Sequence, residues 1–143
     1  MPGMVTKMKK YYNNEKGYGK YYLTDETRIM EDGTVVYRIA SNSEWENQFG
    51  EVIQAGEKGG FVESFDNLMQ FDDSWIYDDA VVYGGACVGC AASVCDNAIV
   101  RGNACVCDDA CVFGNAIVED DAFICRNAQV YDTVISGDAY ITR

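Results

Sequence analysis

A six-residue repeat fills the second half of this 143-residue chain. Counted from Phe71, ten consecutive hexads have Val or Ile at the sixth place, and nine of them have Ala at the fourth place, with Ser74 as the exception. Two apolar places that are two residues apart share one face of a β-strand, whereas a period of six matches neither a helix nor simple alternation. Each hexad is therefore predicted to be a short strand with Ala and Val facing inward, followed by a corner.

The second and third places of the hexads form these corners. They are nearly always Asp, Asn or Gly, residues that tolerate the left-handed backbone of a tight turn, as in Asp78-Asp79, Gly84-Gly85, Asp96-Asn97 and Gly102-Asn103. After Val130 the pattern resumes only if one turn residue is missing near Asp132. With that deletion, the repeat is predicted to continue to the end of the chain.

The hexads YDDAVV, CDNAIV and FGNAIV resemble those of hexapeptide-repeat proteins. The resemblance implies an all-β fold, a left-handed parallel β-helix: a triangular solenoid of about four to five coils in which residues 18 apart stack. Tyr, Cys or Phe often follows the aliphatic residue here, with Asp or Gly one place later. That departure is similar to a branch of the family, with YGNA-V type repeats, that is common in bacteria and their phages. The stretches YYLTDETRIMEDGTVVYRI and FGEVIQAGEKGGFVES also look like that branch.

The region before the repeat is predicted to have three parts. Residues 1–19 are polar and are expected to be a mobile N-terminal segment. Residues 20–48 contain two β-rich runs around Asp32-Gly33 and are expected to form a β-hairpin cap on the first coil. Residues 49–70 are expected to be an irregular first coil, with Gly56, Gly59 and Gly60 at bends, and residues 71–143 are the repeat itself.

The charge of the chain favours a basic partner. The net charge is −12, and residues 71–143 contribute 12 acidic but only 3 basic side chains to it. Such a chain repels nucleic acid and anionic membranes, so direct binding to either is not expected. The odd number of cysteines, seven, and the absence of an apolar leader or of an apolar run of about 18 residues predict a reduced, cytoplasmic protein.

The most familiar chemistry of the resembled family lacks its key residue. The chain has no His, whereas acyltransferases of that family use a His base and its zinc enzymes use three His ligands. Cys87 and Cys90 have zinc-ligand spacing, but stacked strands place cysteines in a flat row rather than a tetrahedron. No catalytic residue, metal or cofactor is therefore predicted. An acyltransferase-like protein with a lost or replaced base, and a purely structural scaffold, remain the alternatives.

The outward places of the hexads fall on three faces. An aromatic face carries Trp75, Tyr77, Phe113 and Tyr131, which are candidate partner-binding residues. An aliphatic face carries Val81, Ile99, Ile117 and Val134, and a cysteine face carries Cys87, Cys105, Cys107 and Cys125. Strand propensity alone would explain these side chains, but a continuous aliphatic strip is also typical of a covered surface.

The acidic corners have two interpretations. Asp is a common corner residue and needs no further role. Alternatively, rows of carboxylates imitate a phosphate backbone and occupy a basic groove. The second interpretation predicts a non-enzymatic inhibitor, phage-borne by resemblance, that mimics nucleic acid and binds a basic, nucleic-acid-handling host defence protein in an anti-CRISPR-like manner. Its predicted partner-binding carboxylates are Asp78, Asp79, Asp96, Asp108, Asp109, Asp120 and Asp121.

The closing hexads YDTVIS and GDAYIT keep strand character to Thr142. An uncovered last coil would present unpaired backbone groups, which a second copy could pair about a twofold axis. A homodimer through the C-terminal coil is therefore predicted, with Val134, Ile135, Tyr140 and Ile141 near the contact. The aliphatic face is the competing interface and would associate molecules side by side.

Overall fold

The computed structural model describes residues 19–143 as an all-β chain whose parallel sheets stack into a β-solenoid of about four turns. The N-terminal segment was predicted to be mobile over residues 1–19, and residues 1–18 of it lie outside the described residues. The described part opens with β1 (Tyr21–Ile29), β2 (Val35–Ser41), β3 (Trp45–Glu46), β4 (Val52–Ile53) and β5 (Lys58–Val62). β1 pairs with β2 in an antiparallel hairpin, and β3 pairs antiparallel with β4.

Twelve short strands of two or three residues build the solenoid, one for each hexad. They are β6 (Trp75–Ile76), β7 (Val81–Val82), β8 (Cys87–Val88), β9 (Ser93–Val94), β10 (Ile99–Val100), β11 (Cys105–Val106), β12 (Cys111–Phe113), β13 (Ile117–Val118), β14 (Phe123–Ile124), β15 (Gln129–Tyr131), β16 (Val134–Ile135) and β17 (Tyr140–Ile141). These strands occupy the fifth and sixth places of each hexad, and β12 and β15 extend by one residue into the next hexad.

The strand register confirms the predicted stacking of residues 18 apart. Ile99 pairs with both Val81 and Ile117, so every third strand lies on the same wall. Ile117 pairs with Val134 and Phe123 with Tyr140, an offset of 17, which confirms the missing turn residue near Asp132. The three walls follow the orders β6-β9-β12-β15, β8-β11-β14-β17 and β7-β10-β13-β16.

The inward places form one continuous core. Every Ala at place four and every Val or Ile at place six from Ala80 to Val130 is buried. Small Ala alternates with larger Val or Ile along this core. This arrangement confirms the prediction from the hexad pattern.

The N-terminal hairpin continues one wall of the solenoid. β2 pairs antiparallel with β5, and β5 pairs parallel with β7, so β1, β2 and β5 extend the wall of β7, β10, β13 and β16 to seven strands. Tyr21 closes the start of the core: its ring stacks on Phe65, and its hydroxyl donates to the Leu68 carbonyl.

The prediction of bends at Gly59 and Gly60 is wrong, because both residues lie inside β5. A Cβ on Gly60 would lie 2.4 Å from the Ala80 carbonyl oxygen, and a Cβ on Gly59 would lie 2.6 Å from the Ile76 carbonyl oxygen. The glycines therefore let β5 lie against the first regular coil. Gly56, with a φ of +83°, is at a turn as expected.

Candidate interaction surfaces

The corners of the solenoid stack into three edges. The Asp72 edge contains residues 72–73, 90–91, 108–109 and 126–127. The Asp78 edge contains residues 78–79, 96–97, 114–115 and 132–133. The Gly84 edge contains residues 84–85, 102–103, 120–121 and 137–138.

Only the second place of the hexad uses the left-handed backbone, which corrects the prediction for the third place. Positive φ occurs at Asp78, Asp96, Asp108, Asp120 and Asp132, and at glycines of the same place. Cys90 and Arg126 also adopt it, at φ of 62° and 55°. Residues with ordinary side chains pay about 1–2 kcal/mol for this conformation.

The second-place carboxylates hold neighbouring coils together. Asp78 accepts a hydrogen bond from the Asp96 N–H at 3.0 Å, and Asp96 accepts one from the Gly114 N–H at 2.8 Å. Asp108 does the same for the Arg126 N–H at 2.9 Å, and Asp120 for the Gly137 N–H at 2.9 Å. Hydrogen bonds to a charged acceptor contribute about 1.5–3 kcal/mol each. Second-place Asp residues therefore have a structural role that the sequence pattern does not reveal.

The third-place carboxylates differ from the second-place ones, because they do not accept a hydrogen bond from a backbone N–H of the next coil. Asp73 and Asp109 make no side-chain hydrogen bond with any residue in positions 19–143, and Asp121 is 3.5 Å from the Asn103 amide. Asp79 accepts from Arg38 at 3.0 Å. All four side chains are exposed. The seven predicted Asp residues therefore separate into ladder acceptors and solvated carboxylates.

No edge carries a carboxylate in every coil, so the expected continuous acidic rows are interrupted. Cys90 and Arg126 alternate with Asp72 and Asp108 on one edge, and Gly114 interrupts the Asp78 edge. Two shallow clefts lie along these edges. One, of about 660 Å³, has Phe71 at its margin, and the other, of about 450 Å³, has Tyr131.

The expectation of an open aromatic face at Trp75 is wrong. The Trp75 side chain points outward but is only 1% exposed, because Trp45 and Tyr21 pack edge-on against it at ring distances of 5.5 and 6.2 Å. Segment 45–53 lies over this face, where Gln48 donates to the Ser93 hydroxyl at 2.6 Å. Trp75 therefore anchors the N-terminal region to the solenoid and offers no surface to a partner.

The remaining aromatic residues become more exposed towards the end of the chain. Tyr77 is half-buried beneath Asn47, whose amide donates to the Tyr77 hydroxyl at 3.0 Å, and burial raises the pKa of Tyr77 to about 12. Phe113 and Tyr131 pack at a ring distance of 4.9 Å with their planes tilted by 36°, and Tyr131 is 58% exposed. Of the four predicted aromatic residues, Phe113 and Tyr131 form the accessible pair.

The aliphatic face is covered in its first coil by the chain's own hairpin. Met30, Val36 and Phe61 bury Val81 and Tyr83 in a small second core against which Ile99 packs. Ile117 is half-buried and Val134 is 58% exposed. On the same face, Arg101 donates to Glu119 through Nε at 3.0 Å and through the terminal nitrogen at 2.7 Å.

All seven cysteines are free. On the cysteine face, burial raises the pKa of Cys87 and Cys105, and it raises the pKa of Cys107 to about 12. Thiols with raised pKa are poor nucleophiles. Within positions 19–143, no group of three or more His, Cys, Asp or Glu residues has a geometry that could hold a metal ion.

The predicted dimer residues lie on the last two strands, β16 and β17, each of which has a hydrogen-bonded neighbour on one side in positions 19–143. Val134 and Tyr140 are exposed, and Ile135 and Ile141 are half-buried. Tyr140 stacks on Phe123 at 5.4 Å with parallel rings.

The clamp at Lys20 is a site that the sequence reasoning missed. Lys20 is 8% exposed, and its ammonium group donates to the Asp72 carboxylate at 3.1 Å and to the Ser74 carbonyl and hydroxyl oxygens. Burial lowers the pKa of Lys20, and the Asp72 charge opposes that effect. Ser74 was the signal: it is the one residue that replaces Ala at place four, and it is the residue that receives Lys20.

Comparison with known proteins finds no match to a family model, a curated protein or a solved structure. The fold therefore stands on the chain's own strand register. Positions 19–143 contain no helix of the length and apolarity that a membrane span requires.

Proposed function

We propose that this chain is a non-enzymatic interaction protein of the hexapeptide-repeat, left-handed β-helix type. Its acidic edges engage a basic, nucleic-acid-handling protein by imitating a phosphate backbone. By the resemblance of its repeats to the bacterial and phage branch, we further propose that it is a phage-borne, cytoplasmic inhibitor of a host defence protein. The observation that carries the proposal is the set of exposed third-place carboxylates, because the ladder of coils does not use them.

The density of charge supports mimicry of DNA. Four coils at about 4.8 Å each extend about 19 Å. B-DNA carries about 11 phosphate charges over that length, at one charge per about 1.7 Å. Residues 71–143 carry 12 acidic and three basic side chains, a net charge of −9. A basic groove that accepts a duplex would therefore meet a similar number of negative charges on this solenoid.

The clefts on two edges suit arginine side chains in particular. Phe71 is 75% exposed beside Asp73 and Asp109 in a cleft that Arg126 also lines, and Tyr131 is 58% exposed beside the Asp78 edge. An aromatic ring next to carboxylates offers a guanidinium both a cation–π contact and charge-assisted hydrogen bonds. Nucleic-acid-binding grooves are rich in Arg, which makes them the matching partner.

Two variants with the same change in net charge test the proposal. The third-place variant has Asp73, Asp109, Asp121 and Asp138 changed to Asn; Asp138 is the exposed third-place residue of the last hexad. The second-place variant has Asp78, Asp96, Asp108 and Asp120 changed to Asn. The immobilised wild-type chain should capture a basic protein from a bacterial lysate, and a DNA duplex of about 20 base pairs should displace that protein. The third-place variant should lose capture, whereas the second-place variant should retain most of it.

Three results would contradict the proposal. The captured protein could resist the competing duplex, or the third-place variant could capture as well as the wild type. Equal loss in both variants would show that net charge alone drives the contact, without recognition of particular carboxylates. Binding should also weaken as salt rises, because exposed charges are screened over about 10 Å at 0.1 M.

The absence of acyl transfer is a separate part of the proposal. Without His, an Asp or Glu base would need a strongly raised pKa. A coenzyme A release assay with a broad panel of acceptors should therefore stay at background. Turnover that disappears when Asp109 is changed to Asn would favour the alternative of an acyltransferase with a replaced base.

Self-association through the C-terminal coil also remains a prediction. Exposed Val134 and Tyr140 would lie at the contact with half-buried Ile135 and Ile141. Changing Ile141 to Lys should then give monomers, because a charge would be buried between the two last coils.

A further inference from the structure

The tip of the N-terminal hairpin creates a cleft on the aliphatic face. Residues 28–31, at the end of β1 and in the turn that follows it, lie over the outer side of the solenoid strands β7, β10 and β13 and enclose a volume of about 220 Å³ against them. Ile99 and Ile117 line the floor of this cleft, and Met30 and Tyr83 line it near the second core. The charged residues Arg28, Glu31 and Arg101 also line it. The volume is below the range of about 300–1,000 Å³ that is usual for small-molecule sites, and is closer to that of one large apolar side chain.

The same face also carries apolar side chains that protrude from it. Ile29, at the rim of the cleft, is 70% exposed, and Val134, further along the column of Ile99 and Ile117, is 58% exposed. An exposed side chain beside a cleft of matching size makes a surface complementary to itself. Surfaces of that kind pair about a twofold axis, because each copy offers both the protruding residue and the cleft.

The charge on this face favours a second copy over the basic partner proposed above. The hairpin, β5 and the outward columns of this wall carry four of the seven basic residues in positions 19–143, namely Arg28, Arg38, Lys58 and Arg101. They also carry five acidic residues, namely Asp25, Glu26, Glu31, Asp32 and Glu119. The remainder of positions 19–143 has three basic and 17 acidic residues.

This wall therefore has a net charge of −1, whereas the rest of the described chain has −14. Two copies of a strongly acidic protein repel one another through most of their surfaces. Only a nearly neutral face allows close approach. A basic protein would be steered to the acidic edges and away from this wall.

We infer that the hairpin-tip face is a self-association surface, on which Ile29 of each copy enters the cleft of the other about a twofold axis. The inference does not depend on the proposed function. It competes with the C-terminal coil as the site of dimerisation, and it gives the hairpin tip a role beyond covering Val81.

Sedimentation of the full chain at concentrations up to about 200 µM tests the inference. The wild type should be dimeric. The variants Ile29→Glu and Ile117→Lys should each raise the dimer dissociation constant at least a hundredfold. Phe49→Ser is the matched control, because Phe49 is 54% exposed in segment 45–53, on a different face, and it should leave the dimer unchanged. Circular dichroism checks that each variant keeps its strand content.

A wild type that stays monomeric overturns the inference. So does a dimer that survives Ile29→Glu and Ile117→Lys but is lost in Ile141→Lys, which would assign the contact to the C-terminal coil. Ile29 is largely exposed, so Ile29→Glu is expected to fold even if Ile117→Lys does not. Added salt should strengthen this dimer, because it screens the repulsion between two acidic copies. That sign is opposite to the one expected for binding of the basic partner.

Discussion

The first coil and the last coil of the solenoid have the same hexad pattern but very different surroundings. Val81 and Val134 are outward residues of the same column, yet Val81 is fully buried and Val134 is 58% exposed. The N-terminal region makes the difference, because its hairpin and segment 45–53 lie over the outer side of the early coils. A repeat therefore specifies which side chains point outward, but another part of the chain decides which of those are surface.

The largest expected effect concerns the aromatic anchor of the covered coil. Trp75→Ala should lower the free energy of unfolding by about 4 kcal/mol, because it removes a buried ring that packs against Trp45 and Tyr21. Tyr131→Ala on the same face of the last coil should cost less than about 1 kcal/mol, since it removes one aromatic pair. Urea unfolding followed by circular dichroism measures both. Equal costs would mean that the N-terminal region does not stabilise the first coil.

A second comparison uses one glycine from each end of the solenoid. Gly60→Ala should cost about 3 kcal/mol, because the new Cβ collides with the Ala80 carbonyl and the Ile76 side chain. In Gly137→Ala the new Cβ would have no atom within 4 Å, and the only unfavourable feature is the backbone φ of +65°. The substitution should therefore lower the free energy of unfolding by about 1 kcal/mol. Thermal unfolding of the two variants gives the ranking. A Gly60→Ala protein as stable as Gly137→Ala would show that β5 does not lie tightly against the first regular coil.

These contrasts mark how far the sequence could predict the molecule. Period and corner chemistry were sufficient for the strands, the core and the 18-residue register, because each depends on neighbours within one or two coils. Trp75 and Gly60 were misjudged because their environment comes from residues distant in the chain. The two roles of Asp were also hidden, since a carboxylate that bonds the next coil and one that faces solvent occupy adjacent places of the same hexad. Ser74 is the one position at which a departure from the repeat pattern coincides with a long-range contact, the one with Lys20.

The third comparison is between Asp72, which binds Lys20, and Asp108, which does not. The expected difference in stability is smaller and depends on pH. Asp72→Asn should cost about 2 kcal/mol, because a buried ammonium group loses its carboxylate. Asp108→Asn should cost less than about 1 kcal/mol, since an amide oxygen can still accept from the Arg126 N–H. Burial raises the pKa of Asp72, but hydrogen bonds from Ser74 and the charge of Lys20 outweigh it and hold that pKa below 3.8.

A carboxyl whose pKa is lower in the folded state stabilises the fold above its unfolded pKa and loses that contribution as pH falls. The advantage of the wild type over Asp72→Asn should therefore be complete above pH 3.8 and disappear as pH falls below it. Urea titrations between about pH 2 and pH 6 measure it. A difference that does not change with pH would assign the cost to lost packing instead of lost charge.

The smallest expected effect per residue separates the two kinds of corner carboxylate without reference to a partner. The third-place variant, with Asp73, Asp109, Asp121 and Asp138 changed to Asn, should be as stable as the wild type or slightly more stable, because it relieves repulsion in an acidic chain and breaks no strong bond. The second-place variant loses four charged acceptors of coil-to-coil hydrogen bonds, so each site should cost about 0.5 kcal/mol even though Asn can still accept. Because both variants change the net charge by the same amount, any difference in their unfolding free energies reports on position alone. If the third-place variant were the less stable of the two, those carboxylates would belong to the fold, and their exposure would no longer argue for a partner.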